Sequence, residues 1–233
     1  MKTGRPFLAL AFTLLIAPSC SEDSPETIQL DFSQGTQEWV AGFADYPSGQ
    51  EGFFELEADY RTLLEPLNTS QRAHYIAGNN HSDDLWMYFK GQLAGLSPDK
   101  TYRVRFEVEI ATDVPNGCGG VGGPPGEGVT IKAGASEIEP DATAQRGFLR
   151  MNVDKGNQSQ SGEDAVVLGD VANSVPCGEP ARWELKRLSS GGDSVDVTSD
   201  GAGRVWLFVG SDSGFESTTR LYYTWVIATL EPM

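Results

Sequence analysis

The twelve residues Thr101-Tyr102-Arg103-Val104-Arg105-Phe106-Glu107-Val108-Glu109-Ile110-Ala111-Thr112 decide the fold class. Tyr102, Val104, Phe106, Val108 and Ile110 alternate with Arg103, Arg105, Glu107 and Glu109. A period of two places the apolar set on one face of a strand and the charged set on the other. The strand therefore has one buried and one wet face, as in an antiparallel sheet.

Working outward, Leu85 to Leu93 shows the same habit. Leu85, Met87, Phe89 and Leu93 lie on one face, and Trp86, Tyr88, Lys90 and Gln92 on the other. Gly95-Leu96-Ser97-Pro98-Asp99-Lys100 has turn chemistry, so the two runs are expected to form a β-hairpin. Thr218 to Leu230 reads as one long central strand, with Leu221, Tyr223, Trp225 and Ile227 on one face and Tyr222, Val226 and Ala228 on the other. Further strands are expected at 28–32, 53–57, 73–77, 129–133, 148–153, 182–188, 195–198 and 205–209. No stretch keeps a helical period. The 27 glycines and 13 prolines punctuate short apolar runs. Such punctuation points to an all-β sandwich of two antiparallel sheets in one domain, residues 28–233.

The first nineteen residues differ in kind. Lys2 and Arg5 precede an apolar run from Phe7 to Ala17, too short for the roughly 20 residues that span a bilayer. This is the pattern of a secretory signal peptide over residues 1–19. Cys20 follows, then an acidic stretch beginning Ser21-Glu22-Asp23. A cysteine at that junction resembles the lipid-attachment site of bacterial lipoproteins. The resemblance implies a lipid-anchored acidic tether at 20–27 and a place in the bacterial cell envelope, at the outer membrane or the cell surface. The alternative is a secreted chain, because Ala17-Pro18-Ser19 also satisfies ordinary small-x-small cleavage.

Cleavage before Cys20 removes Lys2 and Arg5 and takes the net charge from −16 to −18. So acidic a surface disfavours nucleic acid and anionic membrane surfaces. With Cys20 carrying lipid, Cys118 and Cys177 remain, and an oxidising compartment favours their pairing as a disulfide over the alternative of two unpaired cysteines, buried or reduced.

The mature region is similar in outline to jelly-roll carbohydrate-binding modules and galactose-binding-like domains. Leu30-Asp31-Phe32, Glu38-Trp39, the Leu96-Ser97-Pro98 turn into Tyr102-Arg103-Val104-Arg105-Phe106, and the closing Thr219-Arg220-Leu221-Tyr222-Tyr223 carry the likeness. It implies a jelly-roll β-sandwich and a carbohydrate or related extracellular ligand.

Three polar clusters are candidate sites. The densest is Gly78-Asn79-Asn80-His81-Ser82-Asp83-Asp84. Asn79, Asn80 and His81 suit hydrogen bonding to sugar hydroxyls, and Asp83 and Asp84 offer the hard oxygens that Ca²⁺ prefers. The same residues also suit a plain turn. The second is the glycine-rich 117–128, and the third is 152–158. A flat aromatic ring covers the apolar face of a pyranose. Trp39, Tyr46, Trp86 and Tyr88 are the candidates, the last two because they face away from Met87 and Phe89. A carbohydrate-active hydrolase or lyase is the alternative, needing two of Asp45, Asp83, Asp84 and Glu127 at the right separation. No Gly-x-Ser-x-Gly elbow or His-Glu-x-x-His helix is present. A structural envelope lipoprotein without a small ligand is the third reading. If Cys20 carries the anchor, Cys20→Ser moves the protein from the membrane fraction to the soluble one, as read by detergent partitioning; unchanged membrane association rejects the anchor.

Overall fold

The computed structural model describes residues 24–233. The expected signal peptide, Cys20 and the first residues of the expected tether lie outside them. Fifteen strands follow in order: β1 Glu26–Asp31, β2 Val40–Ala44, β3 Tyr46–Pro47, β4 Glu57–Thr62, β5 Arg72–Asn79, β6 Leu85–Ala94, β7 Thr101–Thr112 and β8 Val129–Ser136. Then come β9 Ala142–Gln145, β10 Phe148–Met151, β11 Ala165–Asp170, β12 Glu184–Ser189, β13 Val195–Thr198, β14 Arg204–Ser213 and β15 Thr218–Pro232.

The fold is an all-β jelly-roll sandwich. A seven-stranded sheet runs β12-β7-β15-β5-β4, with β1 on β15 and β13 on β7, and a five-stranded sheet runs β11-β8-β14-β6-β2. The chain alternates between the two sheets at β5–β6, β6–β7, β7–β8 and β14–β15. Ile76, Met87, Phe89, Phe106, Val108, Ile131, Val209, Leu221 and Tyr223 meet in the core between them. Strand β1 begins at Glu26, so the sandwich takes in the last two residues expected for the tether.

The expected hairpin is not one. Strand β6 pairs with β2 and β14, whereas β7 pairs with β12, β13 and β15. Residues 95–100 arch across the core. Two strands that each have one apolar face satisfy both by facing each other from opposite sheets, and alternation alone does not distinguish that from lateral pairing. The arch is pinned by Leu96 N donating to Gly203 O at 3.0 Å and Ser97 N donating to the Tyr102 hydroxyl at 3.0 Å.

Residues 53–55 form a turn instead of a strand, and β2, β3, β9, β11 and all of β4 beyond Glu57 arise where no strand is expected. Strands β3, β10 and β9 make a third, three-stranded sheet. It lies against the outer face of the five-stranded sheet and closes a second small core of Ala44, Trp86, Tyr88, Val153, Ala165 and Phe208. A further cluster, including Leu63, Tyr75, Trp183 and Tyr222, covers one half of the seven-stranded sheet's outer face. The other half stays open.

Strand β15 is central, as expected, but its faces change midway. The register against β7 shifts between Tyr223 and Trp225. Leu221 and Tyr223 point to the core, and after the bulge Val226, Ala228 and Leu230 do so. An extra residue in one strand exchanges the faces of everything beyond it, which turns Trp225 and Ile227 outward.

The core tolerates little added volume. A Cβ on Gly91 of β6 would lie 2.2 Å from Trp39 Nε1. Gly91→Ala is expected to destabilise the fold by about 1–3 kcal/mol, measured by urea unfolding.

Candidate functional site

The open half of the seven-stranded sheet has Trp225 at its centre. Trp225 lies in register with Asp31 of β1 on one side and Glu109 of β7 on the other. Thr224, at the bulge, is buried and its Oγ1 lies 2.8 Å from Glu109 Oε1. Arg187 of β12 donates from Nε to Glu109 Oε2 at 2.9 Å, and its guanidinium carbon stands 5.7 Å from the Trp225 ring centroid. The indole is thus fixed from below by the bulge and from one side by a cation over the ring. On the other side Gln29 and Asp31 of β1, Gln34 of the following turn, and Asn68, Ser70 and Gln71 of a loop surround a hollow of about 450 Å³ that Trp225 also lines. Amide, hydroxyl and carboxylate groups beside one half-buried ring suit a hydroxyl-rich ligand with an apolar face. Alternation groups Trp225 with Leu221 and Tyr223 on one face of a strand expected to be covered on both sides, and no local signal marks the bulge that separates them.

The aromatics expected as a platform are buried. Trp39 is in the main core, edge-on to Phe32 at 5.6 Å. Trp86 and Tyr88 do face away from that core, stacked with centroids 6.2 Å apart, but the small sheet covers them and leaves them 0% and 1% exposed. Tyr46 is buried as well, and burial together with Glu51 pushes its hydroxyl up to about 12. None of the four presents a face to solvent.

The 78–84 cluster is mainly a turn. Asn80 is buried and donates to Ser213 O at 2.8 Å and Phe215 O at 3.0 Å, while its Oδ1 accepts from Ser82 N at 3.1 Å. Asn79 donates to Glu55 Oε1 at 3.4 Å. His81 is exposed and stacks on exposed Phe53, with ring centroids 4.1 Å apart. Asp83 stands exposed with φ at 61°, whereas Asp84 turns towards Arg150. Among the described residues no three His, Cys, Asp or Glu side chains are grouped to hold a metal ion. Beside Asp84, one of the two carboxylates expected for Ca²⁺, Arg150 Nη1 donates to Oδ2 at 3.0 Å. In the 152–158 cluster, Asn152 donates to Glu139 O at 2.8 Å and Gln158 donates to Asp83 O at 2.9 Å. Both serve to close loops.

Of the four carboxylates considered for acid and base, Asp45 and Asp84 converge. Arg150 Nη1 donates to both, at 3.1 and 3.0 Å. Glu127 instead accepts from Gly117 N at 2.7 Å, in the glycine-rich loop. That loop is tied by the expected Cys118–Cys177 disulfide, across 59 residues of sequence. The Asp45–Arg150–Asp84 group continues inward to Lys155, Asp212 and Lys132, none of which sequence analysis singled out. Lys155 Nζ is 3.0 Å from Asp45 and 2.9 Å from Asp212, and Lys132 Nζ is 2.8 Å from Asp212. Three cations thus balance three carboxylates under the small sheet. Burial raises the Asp84 carboxyl to about 6; Lys155 opposes that shift, and Asp45 and Asp212 add to it.

Neither the protein-family models nor the curated proteins contain a match to this chain. Solved structures do. The chain is similar to TmCBM61 in complex with β-1,4-galactotriose, at 11% identity over 84% of this chain and 92% of that one, with a TM-score of 0.36. It is similar to the carbohydrate-binding module TmCBM27, described for mannan recognition, at 11% identity over 90% and 99%, with a TM-score of 0.37. It also matches the enzymatically active domain of bacteriophage CBA120 tailspike protein 4, at 8% identity and a TM-score of 0.35, but spans only 20% of that chain. These neighbours are mostly carbohydrate-binding modules. The fold itself is established by the strand pairing above.

Asp84 generates a pH prediction. Its proton is held more tightly in the folded protein, at about 6 against an ordinary 3.8. Ionised Asp84 therefore weakens the fold above pH 6, and stability is regained as pH falls through 6 towards 4. Asp84→Asn is expected to raise stability at pH 7 by on the order of 1–2 kcal/mol. It is also expected to flatten the gain that wild type shows between pH 7 and 5, as followed by thermal unfolding.

Proposed function

We propose that this protein is a carbohydrate-binding module, exported and held at the bacterial envelope by lipid on Cys20, which engages its ligand on the open half of the seven-stranded sheet. The observation that carries this reading is the half-buried Trp225 beside a hollow bordered by Gln29, Asp31, Gln34, Asn68, Ser70 and Gln71. A sugar has an apolar face that stacks on an indole and a rim of hydroxyls that both donate and accept hydrogen bonds. The side-chain amides around Trp225 do both as well. Asp31 accepts, and its Oδ1 is already held by Ser33 N at 2.9 Å, which fixes the carboxylate before any ligand arrives.

The ligand favoured is neutral. Arg187 is committed to Glu109, Arg105 to Glu231 and Arg103 to Asp196. The cations on this face are therefore already neutralised, and the chain as a whole is strongly acidic. Binding is metal-independent in this reading, because Arg150 occupies the place beside Asp84.

A glycan array probed with the mature protein tests the proposal. Binding to one or more neutral glycans is expected, unchanged by EDTA. Trp225→Ala is expected to weaken it at least about tenfold, in keeping with the loss of a central aromatic contact, while the folded spectrum is retained. Trp86→Phe, a change in the covered core, leaves binding unaltered. An array without any bound glycan, or binding that survives Trp225→Ala, rejects the site.

A further inference from the structure

The innermost pair of the charge cluster has an unusual environment. Lys132 of β8 and Asp212 of β14 have side chains 0% exposed, and Lys132 Nζ lies 2.8 Å from Asp212 Oδ2. The strands that carry them are adjacent in the five-stranded sheet. Asp212 Oδ1 is buried without a hydrogen-bond partner. A bare oxygen on a fully buried carboxylate is costly, because it carries part of a net charge into a dry site. A second ammonium, Lys155, touches the same Oδ2 at 2.9 Å, and Lys132 Nζ also donates to Lys155 O at 3.0 Å.

We propose that Lys132 and Asp212 condense into an intramolecular amide, a covalent cross-link between β8 and β14 that this fold forms by itself. The chemistry needs only the groups present. A proton moves from Lys132 Nζ to Asp212 Oδ2 along their hydrogen bond, giving a neutral amine and a neutral acid, a form that a dry site favours over the ion pair. The amine lone pair then adds to Asp212 Cγ, a C–N bond forms, and negative charge collects on Oδ1. Lys155 delivers a proton to Oδ2 as that oxygen leaves and recovers one from the new nitrogen. The C–O bond breaks, Oδ1 becomes the amide carbonyl oxygen, and one water departs. No oxidant or other reagent enters the balance.

The two lysines are suited to different parts. Burial holds the Lys132 amine below its ordinary value, which favours the free nucleophile. Burial alone would lower Lys155 as well, but Asp212 and Asp45 together hold it above its ordinary value, so it remains a proton donor. The product also fits its surroundings. The remaining amide N–H still donates to Lys155 O, and Oδ1 no longer carries carboxylate charge. The charges left behind, on Lys155, Arg150, Asp45 and Asp84, still balance. The hollow lined by Asp45, Asp84 and Lys155 gives the water a way out. The inference is independent of the carbohydrate reading.

Peptide mapping of the natively folded wild-type protein tests it. After reduction and tryptic digestion, the chain is expected to resist cleavage at Lys132. The peptide that contains it is expected to be joined to the Val205–Arg220 peptide and to be lighter than the sum of the two by one water. Fragmentation is expected to place the bond between Lys132 and Asp212. Lys132→Met and Asp212→Ala are expected to lose the branched peptide, and the wild-type map decides the matter even if these variants do not fold. Recovery of a free peptide ending at Lys132 together with an unmodified Val205–Arg220 peptide overturns the proposal, as does a branch from Lys155.

Discussion

Six charged groups beneath the small sheet, four of them buried and Arg150 and Asp84 part-exposed, govern the rest of the architecture. Lys132, Lys155 and Arg150 meet Asp45, Asp84 and Asp212 on the outer face of the five-stranded sheet. Charges taken out of water at this depth must be matched, or the desolvation cost of each is left standing. Arg150 comes from β10 and Lys155 from the loop after it, so matching these charges requires the small sheet to lie where it does. Once it lies there, Trp86 and Tyr88 are covered.

What remains open follows from that arrangement. The other sheet has its own small cluster around Tyr75, Trp183 and Tyr222, but this cluster covers only half the face. The bulge at Thr224 delivers Trp225 to the uncovered half. Glu109 ties the two features together: Thr224 holds one of its oxygens, Arg187 holds the other, and Arg187 stands over the Trp225 ring. A single buried carboxylate thus stabilises the irregularity in the strand and orders the cation beside the aromatic. The proposed binding face and the charge cluster lie on the outer faces of opposite sheets.

Period-two patterning in the sequence carries the fold class, most of the strands and the core, because an alternating strand must bury its apolar side. Thr101 to Thr112 and Val205 to Val209 are of this kind. Cysteine parity carries the disulfide. The same pattern is silent about which strand lies beside which, and Leu85–Leu93 shows the consequence: its apolar face suits a partner across the core as well as a partner in the same sheet. The candidate site was less legible. Trp39, Trp86 and Tyr88 are the right residue types, but exposure belongs to whatever packs above a side chain, and the small sheet comes from residues distant in sequence.

The sequence by itself determined an alternating all-β chain, its acidic balance and the leader pattern ending at Cys20, and it made a Cys118–Cys177 disulfide the expected pairing. Each depends on local periodicity or on counting. Tertiary structure alone decided that Trp225 faces outward, since one extra residue in β15 reverses every side chain beyond it. It alone decided that Lys132, set between Ile131 and Ala133 in β8, is sealed against Asp212. Whether a polar face meets water or a second layer depends on the packing of strands far apart in the chain, which alternation along a single strand does not encode.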